Sequence, residues 1–177
     1  AAYANVTFNL SDHLALIAGG RFTHDRVSAF HDRIPSPIPG PGVLTIGSGY
    51  RLRTSNDDFS GRVGVQYRPS PQFMTYATYS QGYKGPAFNV FFNQNPNQLG
   101  VIEAETADAY EVGTKYNTAD GSFVFNTAFF YARYDNFQAN SFVDLNGSIV
   151  TQLTNAGRVS TRGAELEALL RPARNFI

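Results

Sequence analysis

The sequence predicts an all-β fold: an antiparallel up-and-down transmembrane β-barrel, present as an incomplete open segment of about seven strands of a larger barrel. Three observations lead there. Apolar and polar residues alternate with a period of two from end to end. Short turns and long connections between the alternating runs follow one another strictly, which is the asymmetry of outer-membrane barrels. The polar faces carry ionic groups in mid-strand, among them Arg62, Glu111, Lys115, Glu165 and Glu167.

The runs come in order. From Tyr3 to Leu10, Ala4, Val6, Phe8 and Leu10 oppose Asn5, Thr7 and Asn9. From Leu14 to Asp25, Leu14, Leu16, Ala18, Gly20 and Phe22 oppose Arg21, Thr23 and Asp25, with Ile17 out of pattern. From Phe59 to Tyr67, Phe59, Val63, Val65 and Tyr67 share a face with Gly61, against Ser60, Arg62, Gly64 and Gln66. The run from Phe73 to Tyr83 is strand-like, but its Tyr and Thr content leaves its two faces undistinguished. From Asp108 to Tyr116, Tyr110, Val112, Thr114 and Tyr116 oppose Glu111, Gly113 and Lys115. In Ser122 to Phe137, Phe123, Phe125, Phe129 and Tyr131 lie with Thr127 on one face. Asn126, Ala128 and Ala132 share the other with Val124 and Phe130. Last, Ala164, Leu166, Ala168 and Leu170 oppose Glu165, Glu167 and Arg171.

Short turns fall at Ser11-Asp12-His13, at Pro69-Ser70-Pro71-Gln72, between Asn117 and Gly121, and between Pro172 and Asn175. Long connections fall at His24 to Asp58, Lys84 to Thr106 and Asn140 to Ser148. The segment Tyr67-Arg68-Pro69-Ser70-Pro71-Gln72-Phe73 is echoed by Leu170 to Phe176, each copy breaking a strand with proline and restarting on phenylalanine.

Composition bounds the function. The 177 residues carry 14 Lys+Arg and 14 Asp+Glu, so bulk charge attracts no nucleic acid. Cysteine is absent, which excludes thiolate chemistry and disulfides. Mean hydropathy is −0.25, and no apolar run approaches the roughly 18 residues of a membrane helix. No basic stretch with an apolar core opens the chain at Ala1-Ala2-Tyr3, and the second proline repeat stops just beyond its phenylalanine, at Ile177. Residues 1–177 therefore read as one partial barrel domain, a piece of a longer protein.

Alternation alone also describes a soluble β-sandwich or a lipocalin-like barrel. Strand lengths near the roughly 9–11 residues of a tilted crossing favour the inverted, lipid-facing arrangement. So do aromatics near strand ends, namely Tyr67, Phe73, Tyr79, Tyr83, Tyr116, Phe123, Tyr131 and Tyr134, and a polar face suited to a wet, salt-bridged lumen. Unpaired edges cannot face hydrocarbon, so further strands must close the sheet.

Five segments carry a resemblance. They are the hairpin from Leu10 to Asp25; Phe59-Ser60-Gly61-Arg62-Val63 leading to Tyr76-Ala77-Thr78-Tyr79-Ser80-Gln81-Gly82-Tyr83-Lys84; Glu105-Thr106-Ala107-Asp108-Ala109-Tyr110-Glu111-Val112-Gly113-Thr114-Lys115; Asn126 to Tyr134 with Asp135-Asn136-Phe137-Gln138; and Asn155-Ala156-Gly157-Arg158 followed by Arg162-Gly163-Ala164-Glu165-Leu166-Glu167. In this order they resemble the barrel of TonB-dependent outer-membrane receptors. Departures are Ala104, where that family often has proline, and Pro86 in a usually glycine-rich loop start. The resemblance implies a bacterial outer-membrane barrel of about 22 strands around a plug domain, with plug and closing strands outside this chain. It implies active import of a scarce nutrient, such as a ferric siderophore, driven through the TonB energy-coupling complex by way of the plug. A passive porin, or a soluble β-rich binding domain, is the alternative.

No enzyme and no cofactor is expected, and no ligand-binding residue is assigned. His24-Asp25-Arg26 and His31-Asp32-Arg33 could bind a metal, yet no third ligand has recognisable spacing and a solvated loop base is the plainer reading. Glu165 and Glu167 share a strand face and could work as an acid/base pair. Lining the lumen beside arginine or lysine, in the ladder that Glu111 and Lys115 also fit, suits them better. The stretch Gly82-Tyr83-Lys84-Gly85-Pro86 lacks the spacing of a phosphate loop. Asn89, Phe91, Phe92, Asn93, Gln94, Asn95, Asn97 and Gln98 could stack against and hydrogen-bond a sugar or siderophore, or simply be solvated.

Overall fold

The computed structural model describes residues 1–32, 49–89, 100–145 and 148–171. The expected turn at Pro172 to Asn175, with the second proline repeat, lies outside them. So do Arg33 and most of the Asn/Phe-rich connection, from Phe91 to Gln98.

Eleven strands are described: β1 (Ala2–Asn9), β2 (Leu14–His31), β3 (Tyr50–Ser70), β4 (Phe73–Lys84), β5 (Ala87–Phe88), β6 (Val101–Ile102), β7 (Glu105–Asn117), β8 (Phe123–Asp135), β9 (Gln138–Leu145), β10 (Ser148–Asn155) and β11 (Val159–Leu170). Seven form one sheet in the order β1-β2-β3-β4-β7-β8-β11, every neighbouring pair antiparallel. That is the expected meander, ending at β1 on one side and β11 on the other. Two hairpins, β5–β6 and β9–β10, are inserted in the connections above β4–β7 and β8–β11.

The strands run further than the alternation indicated. β2 and β3 are 18 and 21 residues long and stay paired out to His31↔Tyr50. Much of the supposed long connection from His24 to Asp58 is therefore ladder. The apolar signal stops there because both faces of this extension meet water, while the backbone continues to pair. The expected loop at Asn140 to Ser148 is mostly hairpin stem for the same reason. At the other end Pro69 sits within β3 at a shift of register between Tyr67 and Ser70, a place where a residue without an N–H is tolerated.

Register assigns the faces. Ala18↔Val63, Val63↔Tyr79, Tyr79↔Tyr110 and Tyr110↔Tyr131 place one row across five strands. Gly19↔Arg62, Arg62↔Ser80, Ser80↔Ala109 and Ala109↔Ala132 place the next row on the opposite face. β4, undecided by its composition, thus turns Phe73, Thr75, Ala77 and Tyr79 to the apolar side, and Tyr76, Thr78 and Ser80 to the polar side.

The apolar face is bare. Val63, Val65, Leu166 and Leu170 are 55%, 37%, 70% and 68% exposed, and only Phe88, Ile102 and Ala132 are buried hydrophobics among the described residues. A soluble sandwich or lipocalin-like domain buries this face in a core. This chain does not. Surface hollows gather on the polar side, one of about 560 Å³ being lined by Asn5, Arg21, Arg62 and Ser80 among others; the polar face is the concave one.

The apolar band is slanted. Its upper limit is Phe22 and Phe59 on β2 and β3, then Tyr79, Tyr110 and Tyr131 on β4, β7 and β8, then Ala164 on β11. Its lower limit runs through Leu14, Tyr67, Phe73, Tyr116, Phe123 and Leu170. Against the hydrogen-bonded register the band slides by about one residue per strand, which at about 3.3 Å of rise per 4.8 Å of spacing is a tilt of about 35°. Outer-membrane barrels tilt their strands by about 35–45°. The eight residue steps from Phe123 to Tyr131 cover about 26 Å of strand and, so tilted, about 22 Å of height, close to the roughly 25 Å apolar band of such barrels.

Aromatic rings mark both limits. Tyr79, Tyr110 and Tyr131 form a row with centroids 5.0 and 6.5 Å apart, and Tyr116, Phe123 and Phe125 a second one at 6.2 and 6.3 Å. Two expected members fall out of these girdles. Tyr134 stands on the polar face by register and packs edge-on against Phe137. The Tyr83 hydroxyl accepts a hydrogen bond from Asn56 Nδ2 at 3.1 Å, above the band.

The short turn between β7 and β8 is built by Asp120. Its Oδ1 accepts from Ser122 N at 3.1 Å and Ser122 Oγ at 2.8 Å, while Gly121 takes φ 69°, a left-handed conformation that glycine adopts without penalty. Hydrogen bonds from Thr118 and then Ser122 hold the Asp120 carboxyl down at about 2. The folded value lies below the ordinary 3.8, so the contribution is complete above pH 4 and is lost as pH falls through about 2. Asp120→Ala is expected to lower the unfolding midpoint by an amount constant from pH 7 to pH 4. That gap should close toward pH 2 in denaturant titrations of the refolded protein; a gap unchanged at pH 2 contradicts this account of the turn.

Candidate functional site: the polar wall and its outer rim

Among the described residues the wall is tied together by hydrogen bonds between its own strands. Tyr76 Oη donates to Glu111 Oε1 at 2.6 Å, and Asn126 Nδ2 donates to Glu167 Oε2 at 2.7 Å. Register explains why. Glu167 stands opposite Asn126, and Glu165 opposite Ala128, with Lys115 one strand further away beyond Asn126. Among the described residues the ion pairs, His24–Asp57, Arg133–Asp108, Arg133–Asp135 and Arg158–Asp135, are all above the apolar band instead. On the wall Arg21 and Arg62 stand on β2 and β3, and Glu111, Lys115, Glu165 and Glu167 on β7 and β11.

Four glycines flatten this wall. Asn5, Thr78, Tyr76 and Phe130 are the direct cross-strand partners of Gly19, Gly64, Gly113 and Gly163. Each lies down over its glycine: a Cβ at Gly113 would stand 2.7 Å from Tyr76 Oη, and one at Gly163 2.8 Å from Phe130 Cζ. Ile17, out of pattern in the sequence, is also a partner of Gly64.

Above the band, the inner side of the β2–β3 extension collects polar groups. Asp25, His31, Asn56 and Asp58 are half-buried there, and Thr23 is buried. Among the described residues Thr23 Oγ1 and Asp58 Oδ2 have no hydrogen-bond partner, and burial pushes the Asp58 carboxyl up. Thr23 and Asp58 are cross-strand partners, so two unsatisfied oxygens are presented side by side. They call for a donor such as an ammonium, guanidinium, hydroxyl or water.

The two His-Asp-Arg triplets do not assemble a metal site. Neighbours on a strand point to opposite faces, so His24 turns outward, where Nδ1 meets Asp57 Oδ1 at 2.6 Å, while Asp25 turns inward. Among the described residues no group of three His, Cys, Asp or Glu could hold an ion.

The inserted hairpins are fastened by three amide side chains that sequence reasoning passed over as sites. Asn89, 4% exposed, donates from Nδ2 to Leu153 O at 2.8 Å and accepts from Leu153 N at 2.6 Å. It imitates one rung of a β-ladder between the β5–β6 and β9–β10 hairpins. Gln138 Nε2 donates to Gly85 O and Glu103 O, both at 2.9 Å, while its backbone N–H reaches Glu105 Oε2 at 2.7 Å. Asn155 Nδ2 donates to Glu103 O and Asn136 O, and its Oδ1 accepts from Glu103 N. The signal available was Gly157, whose φ of 84° turns the chain beside Asn155. Asn89 belonged to the stretch with a possible ligand role, and its own amide is spent on Leu153.

Asn89→Ala is expected to leave the half-buried Leu153 N–H and C=O unpaired, a loss of about 1–3 kcal/mol locally. The Leu153 amide should then exchange with deuterium about 5–150 times faster, with β7 and β8 unaffected. Unchanged exchange at Leu153 rules out the latch.

Comparison with known proteins places this geometry. The family model for the β-barrel of TonB dependent receptor-like proteins matches residues 1–175. The pesticin receptors of Yersinia enterocolitica and Yersinia pestis are 29% identical over 174 residues, covering 97% of this chain and 23% of theirs. The crystal structure of the ferric yersiniabactin uptake receptor of Yersinia pestis superposes with a TM-score of 0.74 at 25% identity, over 97% of this chain and 24% of that one. A Serratia marcescens hemophore receptor, at 19% identity and a TM-score of 0.63, shares the fold over 94% of this chain and 30% of its own. This chain spans about a quarter of the length of the curated relatives it matches.

Proposed function

This chain belongs to the TonB-dependent receptor β-barrel family, and we propose that it supplies seven adjacent strands of an outer-membrane importer for a scarce nutrient such as a ferric siderophore. The observation that carries this reading is the two-faced sheet: a bare apolar band, tilted by about 35° and edged with aromatics, backed by a concave wall of hydrogen-bonded polar groups. Lipid covers the first. A plug domain, encoded outside these residues, occupies the second. Further strands close the barrel, since the ladders of β1 and β11 cannot end in hydrocarbon.

The wall's chemistry suits an occupant that must move. Single hydrogen bonds to the Glu111 and Glu167 carboxylates stand open to water, which competes for them. They are far easier to exchange than buried ion pairs. The inner rim at Thr23, Asp25, Asn56 and Asp58 would then meet the nutrient before the plug yields. Kinship with receptors named for pesticin and for ferric yersiniabactin supports a chelated iron cargo, with energy relayed from the inner membrane through TonB.

The test is uptake of radiolabelled ferric siderophore by cells carrying or lacking the full-length gene, with and without a protonophore. Gene-dependent uptake abolished by the protonophore is expected; uptake that persists without the proton gradient identifies a passive pore. A second test addresses lipid contact. Val63 is central to its segment of band, so Val63→Arg should destabilise the full-length barrel by about 2–4 kcal/mol in urea titrations from lipid vesicles. Gln66→Arg, on the wall, should change stability by less than about 1 kcal/mol. Equal costs would contradict the facing.

A further inference from the structure

We propose that the inner notch formed by Thr23 and Asp58 receives a protonated primary amine carried by the nutrient, so that the cargo is an anionic iron chelate with a pendant ammonium. This rests on the importer role proposed above. Thr23 and Asp58 are direct cross-strand partners on β2 and β3, on the inward face. Thr23 is 6% exposed, and among the described residues neither its Oγ1 nor Asp58 Oδ2 has a hydrogen-bond partner. A hydroxyl buried that deeply beside an acid that meets no cation is a site waiting for a donor.

The fold explains why neither oxygen is satisfied. β3 is bonded to β4 only as far as Arg62↔Ser80, so above that rung no described strand pairs with its second edge. Tyr83 leans across the gap instead: its hydroxyl accepts from Asn56 Nδ2 at 3.1 Å and lies against the Asp25 carboxyl. Asp25 is also pressed over Gly85, where a Cβ would stand 2.6 Å from Asp25 Oδ2. Asn56 and Asp25 are thus engaged, which leaves Asp58 as the acid of the notch without a partner. Arg21 and Arg62 share this face lower down, and among the described residues neither forms an ion pair with it.

Size and charge select the occupant. Cross-strand partners stand about 4.5–5.5 Å apart at Cβ, which suits one compact donor about 2.8 Å from both oxygens. An ammonium supplies three N–H bonds and a full charge at one point, whereas a guanidinium spreads its donors over a wider planar fork. Among the described residues no group of three His, Cys, Asp or Glu could hold a metal ion here. The hollow of about 560 Å³ that reaches Thr23 is lined further down by Arg21 and Arg62. Guanidiniums below and a carboxylate above match a cargo whose anionic chelating core and ammonium are set apart, with about 7 Å of β2 between Arg21 and Thr23.

The experiment uses the full-length receptor in detergent with ferric hydroxamate and ferric catecholate chelates, each prepared with a terminal primary amine and with that amine acetylated. The free-amine form of a bound chelate should bind about tenfold or more tightly than its acetylated form. Asp58→Asn and Thr23→Val should each remove most of that preference and still bind the acetylated chelate as the wild type does, which shows the barrel intact. Asp57→Asn, on the outward face, should leave the preference unchanged. Equal wild-type affinity for the two forms overturns the notch, and so does a preference that survives both inward substitutions. Chelates bound and imported without regard to the amine defeat the notch and leave the importer reading standing. A receptor that binds no chelate in either form also defeats the notch; if gene-dependent uptake is absent as well, the importer reading falls with it.

Discussion

A peptide group surrounded by hydrocarbon has no water to turn to, and each unmatched N–H or C=O there costs several kcal/mol. The continuous ladders from β1 to β11 answer that constraint, and the rest of the molecule follows from them. Once every residue in the band must pair sideways, side chains alternate between two environments. One environment is lipid and the other an aqueous interior, so the strands need no core between sheets. That is why an ordered chain can leave Leu166 and Leu170 about two-thirds exposed or more.

Much of this was legible before any coordinates. The seven sheet strands, their antiparallel order and the faces within the band of every sheet strand except β4 follow from alternation, because lipid and water impose opposite preferences on adjacent positions. Legibility ended where that contrast ended. Above Phe22 and Phe59 both faces meet water, and the sequence reads as loop although the ladder continues to His31 and Tyr50. The β9–β10 stem was hidden in the same manner.

The candidate site was less readable, for a different reason. Register between distant strands decides who meets whom, and a one-residue difference exchanges every partner. Glu167 therefore met Asn126 rather than a cation, and Tyr134 turned inward rather than joining the Tyr79–Tyr110–Tyr131 row. The amide latches at Asn89, Gln138 and Asn155 have no periodic signature at all. Each acts through backbone groups, which every sequence contains, so only the fold reveals which carbonyl is in reach.

The glycine positions opposite Asn5, Thr78, Tyr76 and Phe130 bear on motion. Side chains laid flat along neighbouring strands leave few upright projections on the concave surface, so a body lodged there would be gripped at scattered points rather than interlocked. Sliding past such a surface breaks contacts a few at a time, and the force required at any instant stays small compared with the sum. Were a large occupant seated there, a weak pull from one end would be enough to free it without unfolding the sheet around it.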